Sequence, residues 1–216
     1  MIGDTLSAKA VSWAWYAGGW DAALDDGRQD AKQKRTVIDA RIPGSPIFQT
    51  HHQPFNYFAR FAPGTRDRDQ HLKDAREFLA AVDQGTLPQV AFYKPAGRYT
   101  QHPSYTDMKS GDDHIDAILT RLKKSPQWGR MVVIVTYDEN GGFWDHVPPP
   151  KGDRWGPATR VPTIIISPYA RRGFVDHTQY DTTSILKFIT RRFGLESLPG
   201  VRAEMGDLTN ALDFAR

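Results

Sequence analysis

The chain has 216 residues, 39% of them hydrophobic and 25% charged, with a formal net charge of +3 and no cysteine. That balance suits a single globular domain with a real core, and the scattered basic residues give no electrostatic footprint for nucleic acid. The lack of cysteine excludes disulfides, thiolate zinc sites and a cysteine nucleophile, and no apolar run approaches the ~20 residues of a membrane span.

Asp4 and Thr5 are expected to cap a helix running through Leu6 and Val11 to Trp15, stopped by Gly18-Gly19, with a short helix from Trp20 to Leu24 behind it. Trp13, Trp15, Tyr16 and Trp20 form a dense aromatic cluster, expected in the core or at an interface. The opening residues lack the pattern of a signal peptide. Asp25 to Arg35 is charged and reads as solvent-facing. The turn-rich Arg41–Pro46 then delivers Phe48-Gln-Thr-His51-His52-Gln-Pro54-Phe55-Asn-Tyr57-Phe58. Two readings of the paired histidines stay open. One imidazole is buried and hydrogen-bonded while its neighbour is simply exposed, or the two are arranged to bind a phosphoryl group or protonate a leaving group.

Thr65 to Gln84 reads as one amphipathic helix, with Leu72, Ala75, Phe78, Leu79 and Val82 at helical spacing and His71 on its surface. Leu87–Tyr93 is expected to be a short buried strand, followed by a loop histidine, His102, held before Pro103. Gly111-Asp112-Asp113 should cap the next helix, which runs through Leu122.

Met131–Thr136 is an uninterrupted apolar run, as in a strand buried on both faces. With the strand and helix before it, it predicts a right-handed βαβ unit in which Val90–Tyr93 and Val132–Tyr137 are parallel. Arg160–Ser167 should be a third buried strand and Tyr180–Phe193 the last helix, with Leu208, Leu212 and Phe214 docking late. The chain thus reads as one α/β domain, a three-layer sandwich around a mainly parallel central sheet. At the carboxyl end of the Met131 strand the chemistry changes to Tyr137, Asp138, Glu139 and Asn140, then Gly141-Gly142. Carboxylates at such a strand end read as a metal or phosphate site, or more plainly as a solvated acidic turn.

TYDENGGFWDHVPPP, followed by RVPTIIISPYARRGFVDHTQYDTTSILKFITRRFG, resembles the bacterial phosphoesterase family of phospholipases C and acid phosphatases, whose fold relatives are the alkaline phosphatases. FQTHHQPFNYFARFAPGT and QHPSY resemble matching blocks, closest to the acid phosphatase branch. The resemblance implies an alkaline-phosphatase-like fold and hydrolysis of a phosphate monoester, phosphodiester or phospholipid through a covalent phosphoenzyme, at a site holding one divalent metal ion. It implies that Asp138 and Glu139 are metal ligands and that His51, His52 and His102 surround the phosphate. It implies neither a nucleic-acid partner nor stable membrane insertion, and it implies export of the whole enzyme to the periplasm or medium. The family's Ser or Thr nucleophile and Glu-Asn pair lie in an amino-terminal half with no counterpart here. The chain is therefore expected to correspond to the carboxyl-terminal portion of a longer enzyme, an incomplete fold with little phosphatase activity without its missing half.

Overall fold

Five residues, Trp13–Ala17, form the central strand β1 of a parallel sheet, between Leu72–Asp74 (β2) and Val90–Lys94 (β3). Trp15 lies opposite Leu72 on one side and Phe92 on the other, and Ala17 opposite Asp74 and Lys94. The helix expected across this stretch ends earlier: α1 spans Ile2–Ala8, and Ala10 takes a left-handed φ of 54° before the strand begins. Bulky aromatic residues lose rotamer freedom in a helix but fit a pleated surface, and here pairing on both edges decides the outcome. The structure, a computed structural model, describes residues 1–104 and 106–215.

Contacts divide the chain into two compact units, Ser12–Gln127 and Met1–Val11 with Trp128–Arg216. In the first, alternation along β1 sends Trp13 and Trp15 to one face and Tyr16 to the other. Trp13 meets Phe55 at 4.9 Å and Phe61 at 6.0 Å between ring centroids, and Trp15 stacks on Phe92 at 5.3 Å. On the opposite face Phe78 packs on Tyr16 at 5.3 Å and on Tyr93 at 4.5 Å. Both sheet faces are therefore covered, and the aromatic cluster is core: Trp13, Tyr16 and Trp20 are buried and Trp15 half-buried. Trp20–Gly27 forms α2. Within the stretch expected to face solvent, Asp26 is buried.

The single helix expected over Thr65–Gln84 is broken into α3 (Arg66–His71), strand β2 and α4 (Ala75–Gln84). Asp74 causes the restart. Its carboxylate accepts from Arg76 N at 3.0 Å, while Glu77 Oε2 accepts from Asp74 N at 2.9 Å, a reciprocal cap that begins a new helix at Ala75. His71, expected on the surface, is buried. Its ring stacks on Trp13 at 4.0 Å and 6°, with Nδ1 2.8 Å from Trp13 O. Helix α5 (Met108–Lys124) starts from Asp107, whose Oδ1 accepts from Ser110 N at 2.7 Å, upstream of the expected Gly111–Asp113 cap.

In the second unit, β4 (Val133–Thr136) pairs antiparallel with β5 (Thr163–Ile166), Val133 opposite Ile166 and Thr136 opposite Thr163. The expected βαβ pairing is not among the ladders of the described residues, where β3 pairs with β1 and β4 with β5. Nor is β4 buried on both faces: all four residues are half-buried, and in β5 Thr163 and Ile164 are exposed. An apolar run records what a strand can bury but not which neighbour covers it. The threonine pair closes the ladder, with Oγ1 of Thr136 and Oγ1 of Thr163 at 2.7 Å. Helix α6 (Thr183–Phe193) begins after the expected Tyr180, where Asp181 Oδ1 accepts from Thr183 N at 2.8 Å. In the tail Leu208 and Leu212 are buried as expected, while Phe214 stays exposed. Among the described residues no helix is long and apolar enough to cross a membrane.

Candidate functional site

His51 and His52 sit on a one-turn 3-10 helix, Thr50–His52, ahead of a second such turn begun by Pro54. This turn is fastened to the central strand. Trp15 Nε1 donates to His52 O at 2.7 Å, and the fully buried Gln53 reaches Trp15 O with its amide nitrogen at 3.5 Å. The two imidazoles stand 4.8 Å apart and perpendicular, at 89°. His52 is buried, edge-on to Phe48 at 6.4 Å, whereas His51 is exposed. One ring is thus held by the core and presents the other to solvent. Tyr57 is exposed and donates from its hydroxyl to Thr50 Oγ1 at 2.9 Å, beside His51, while Phe55 belongs to the core.

His102 lies on the loop between the turn Gly97–Tyr99 and α5, exposed, with Nδ1 2.7 Å from Pro103 O. A carbonyl only accepts, so Nδ1 carries the proton in this contact. The stretches leading to these histidines touch at Ile47 and Gly97. A Cβ on Gly97 would lie 2.1 Å from Ile47 O, so only glycine permits this approach, and the Arg98 guanidinium donates to Ser45 O.

Two other histidines play structural parts that their sequence surroundings did not signal. His71 lies under Trp13 as described. His114 stacks on Tyr99 at 4.5 Å and 2°, and its Nε2 is 2.9 Å from the Tyr93 hydroxyl. Burial pushes the pKa of both imidazoles below the ordinary value; for His71 the hydrogen bond to Trp13 O opposes that shift. Burial likewise raises the Tyr93 phenol.

Asp138 and Glu139 follow β4 after Tyr137 and are exposed. Glu139 Oε2 accepts from Gly141 N at 2.6 Å, and Asn140 folds its side chain over the same turn, donating to Phe143 O at 3.2 Å. Beyond them Asp145 grips Arg160 through two bonds of 2.7 and 3.0 Å and accepts from Val147 N at 2.9 Å. The guanidinium pulls the Asp145 carboxyl down to about 2, with the Val147 bond assisting. Asp145 is the residue that ties this loop down. The acidic pair lies in one compact unit and all three histidines in the other. Among the described residues no group of three or more His, Asp and Glu side chains is placed to hold a metal ion, so Asp138 and Glu139 do not make a complete centre by themselves.

A model of the Phosphoesterase family matches residues 1–196. The chain belongs to the phosphoesterase family. It is 32% identical to the non-hemolytic phospholipase C of Pseudomonas aeruginosa over 247 aligned positions, covering 98% of this chain and 32% of that protein. The hemolytic phospholipase C of the same organism is 34% identical over 249 positions, again 98% of this chain and 32% of the relative. The non-specific phospholipase C1 of Arabidopsis thaliana is 36% identical over 201 positions, 76% of this chain and 37% of the relative. This phosphoesterase chain therefore spans about a third of the length of the curated relatives it matches.

Proposed function

We propose that this phosphoesterase chain supplies phosphate-binding and proton-donating groups to a phosphoric ester hydrolase, with His51, His52 and His102 around the phosphoryl group. The observation that carries the reading is the perpendicular His51–His52 pair, its backbone clamped to β1 through Trp15, on a stretch whose lead-in at Ile47 touches Gly97, on the way to His102. Protonated imidazoles would hold non-bridging oxygens and return a proton to the departing alkoxide, which favours turnover on the acid side of neutrality. Proton-transfer catalysis of this kind contributes about 10²–10⁴-fold, so the histidines account for part of the acceleration and not all of it.

The relatives' names favour a phosphodiester of the phospholipid type over a phosphomonoester, and the likeness to the acid phosphatase branch leaves the monoester as the alternative. Asp138 and Glu139 are proposed as two oxygen ligands of a divalent cation, completed by donors from outside the described residues. Divalent cations held by oxygen ligands neutralise charge on phosphate oxygens in general. The same reading assigns the nucleophile to a Ser or Thr, gives this chain little turnover by itself, and places the whole enzyme in the periplasm or medium.

Titration of the chain, labelled with nitrogen-15 at histidine, with inorganic phosphate tests the binding claim. Shifts at His51, His52 and His102 with one common dissociation constant are expected. Unmoved imidazoles would remove the reading. Turnover of p-nitrophenylphosphorylcholine against p-nitrophenyl phosphate by a form of the length of the relatives separates diester from monoester. Phosphate binding by that longer form without any turnover would favour a binding protein that has lost its chemistry. Manganese broadening of signals from Asp138 and Glu139, lost in D138N, is the expected mark of the cation site.

A further inference from the structure

We infer that Gln101 is a positioning residue for His102, acting with Gly111 to fix the direction in which that imidazole leaves the fold; the inference rests on the phosphate reading of the histidines. Gln101 is buried while His102 beside it is exposed. Its amide nitrogen donates to Met108 O at 2.9 Å and to Asp112 Oδ1 at 2.8 Å, so the side chain is bolted to the first two turns of α5. Gly111 makes room for it. A Cβ there would stand 2.2 Å from Gln101 Cγ and 2.8 Å from its amide carbon, so no other residue leaves the amide in place.

The backbone around His102 is also held away from its ordinary preferences. Gln101 has φ 61° and Ser104 φ 81°, two non-glycine residues in the left-handed region bracketing His102-Pro103. Such conformations persist where the surroundings over-determine them, and they gather where a side chain must be aimed. The loop is closed at its base as well, since Thr106 Oγ1 donates to Arg98 O at 2.6 Å. A solvent-exposed histidine with no task would need neither the buried amide nor the two unfavourable backbone conformations. Together these features give an exposed imidazole on a rigid stalk whose root is Gln101.

The test uses the whole chain with histidine labelled as above, titrated with inorganic phosphate, and compares Gln101→Met and Gly111→Ala with the unaltered protein. Gln101→Met keeps length and removes the donor; Gly111→Ala displaces the amide from another element. In both, His102 is expected to stop responding to phosphate while His51 still responds, with the dissociation constant raised about tenfold, the size of one charge-assisted hydrogen bond. A His102 response preserved in Gln101→Met overturns the inference and leaves the phosphate reading standing. Loss of the His51 and His102 responses together overturns it too, because Gln101 would then be holding the fold and not one imidazole. If phosphate moves none of the histidines in the unaltered protein, the phosphate reading fails and this inference with it.

Discussion

The indole Nε1 of Trp15 donates to the main-chain oxygen of His52 at 2.7 Å, joining the middle strand of the parallel sheet to the turn that carries both paired histidines. Trp15 also stacks on Phe92, so the donor itself is held by packing. Trp15→Phe keeps a large ring and removes the donor. It should cost about 1 kcal/mol, the usual worth of a neutral hydrogen bond, read from the urea midpoint. Faster amide hydrogen exchange at His51 and His52 than elsewhere in that unit is expected alongside. An unchanged midpoint with unchanged exchange would show that the bond holds nothing.

The two structural histidines set a pH dependence. Burial keeps the folded-state pKa values of His71 and His114 below the unfolded value of about 6.5. The fold favours their neutral forms, so this stability is complete above about pH 6.5 and is lost as pH falls toward the depressed folded values. Asp145, held at about 2, stays ionised throughout that window and adds no slope there. The urea midpoint should therefore fall between pH 7.5 and pH 5.5, and His114→Phe should flatten part of the decline. Chemistry that profits from protonated histidines would thus work against the fold that presents them.

Asp74 serves two helices. It caps α4, and its Oδ2 accepts from Asp21 N in the first turn of α2 at 3.2 Å. Asp74→Ala removes both bonds from a buried position and should cost about 1–2 kcal/mol, the upper part of the range for a lost cap. Thermal denaturation of the variant measures it. Asp74→Asn, which can still cap, should recover most of the loss.

The Asp145–Arg160 fork fastens the loop that follows Asp138 and Glu139. Arg160→Ala should leave the rest of the fold in place and open residues 140–157 to a protease of broad specificity. Cleavage at equal rates in the variant and the unaltered protein would contradict that role.

Local signals were legible where local chemistry decides. Helices α4 and α6 end at Gln84 and Phe193 as read, each before a left-handed glycine, and the short helix after Gly19 forms at Trp20. The acidic pair does follow a strand, and the paired histidines do divide into one buried and one exposed ring. What failed was long-range. Trp13–Ala17 reads as a continuing helix until Leu72 and Val90 are known to flank it. His71 looks like a surface residue until Trp13 is found above it. The apolar run at Val133 promised a parallel neighbour and met β5 instead. Gln101 carried no signal at all, because its role depends on a glycine and a carbonyl from the next helix.

The placement of β1 has a consequence for synthesis. It is made before both of its neighbours, Leu72–Asp74 and Val90–Lys94. Parallel pairing to distant sequence is slow, and strands left waiting are exposed to the wrong partners. While the ribosome makes the intervening residues, an aromatic, edge-open WAWYA segment waits with neither side matched. This is where a holding chaperone would be most useful.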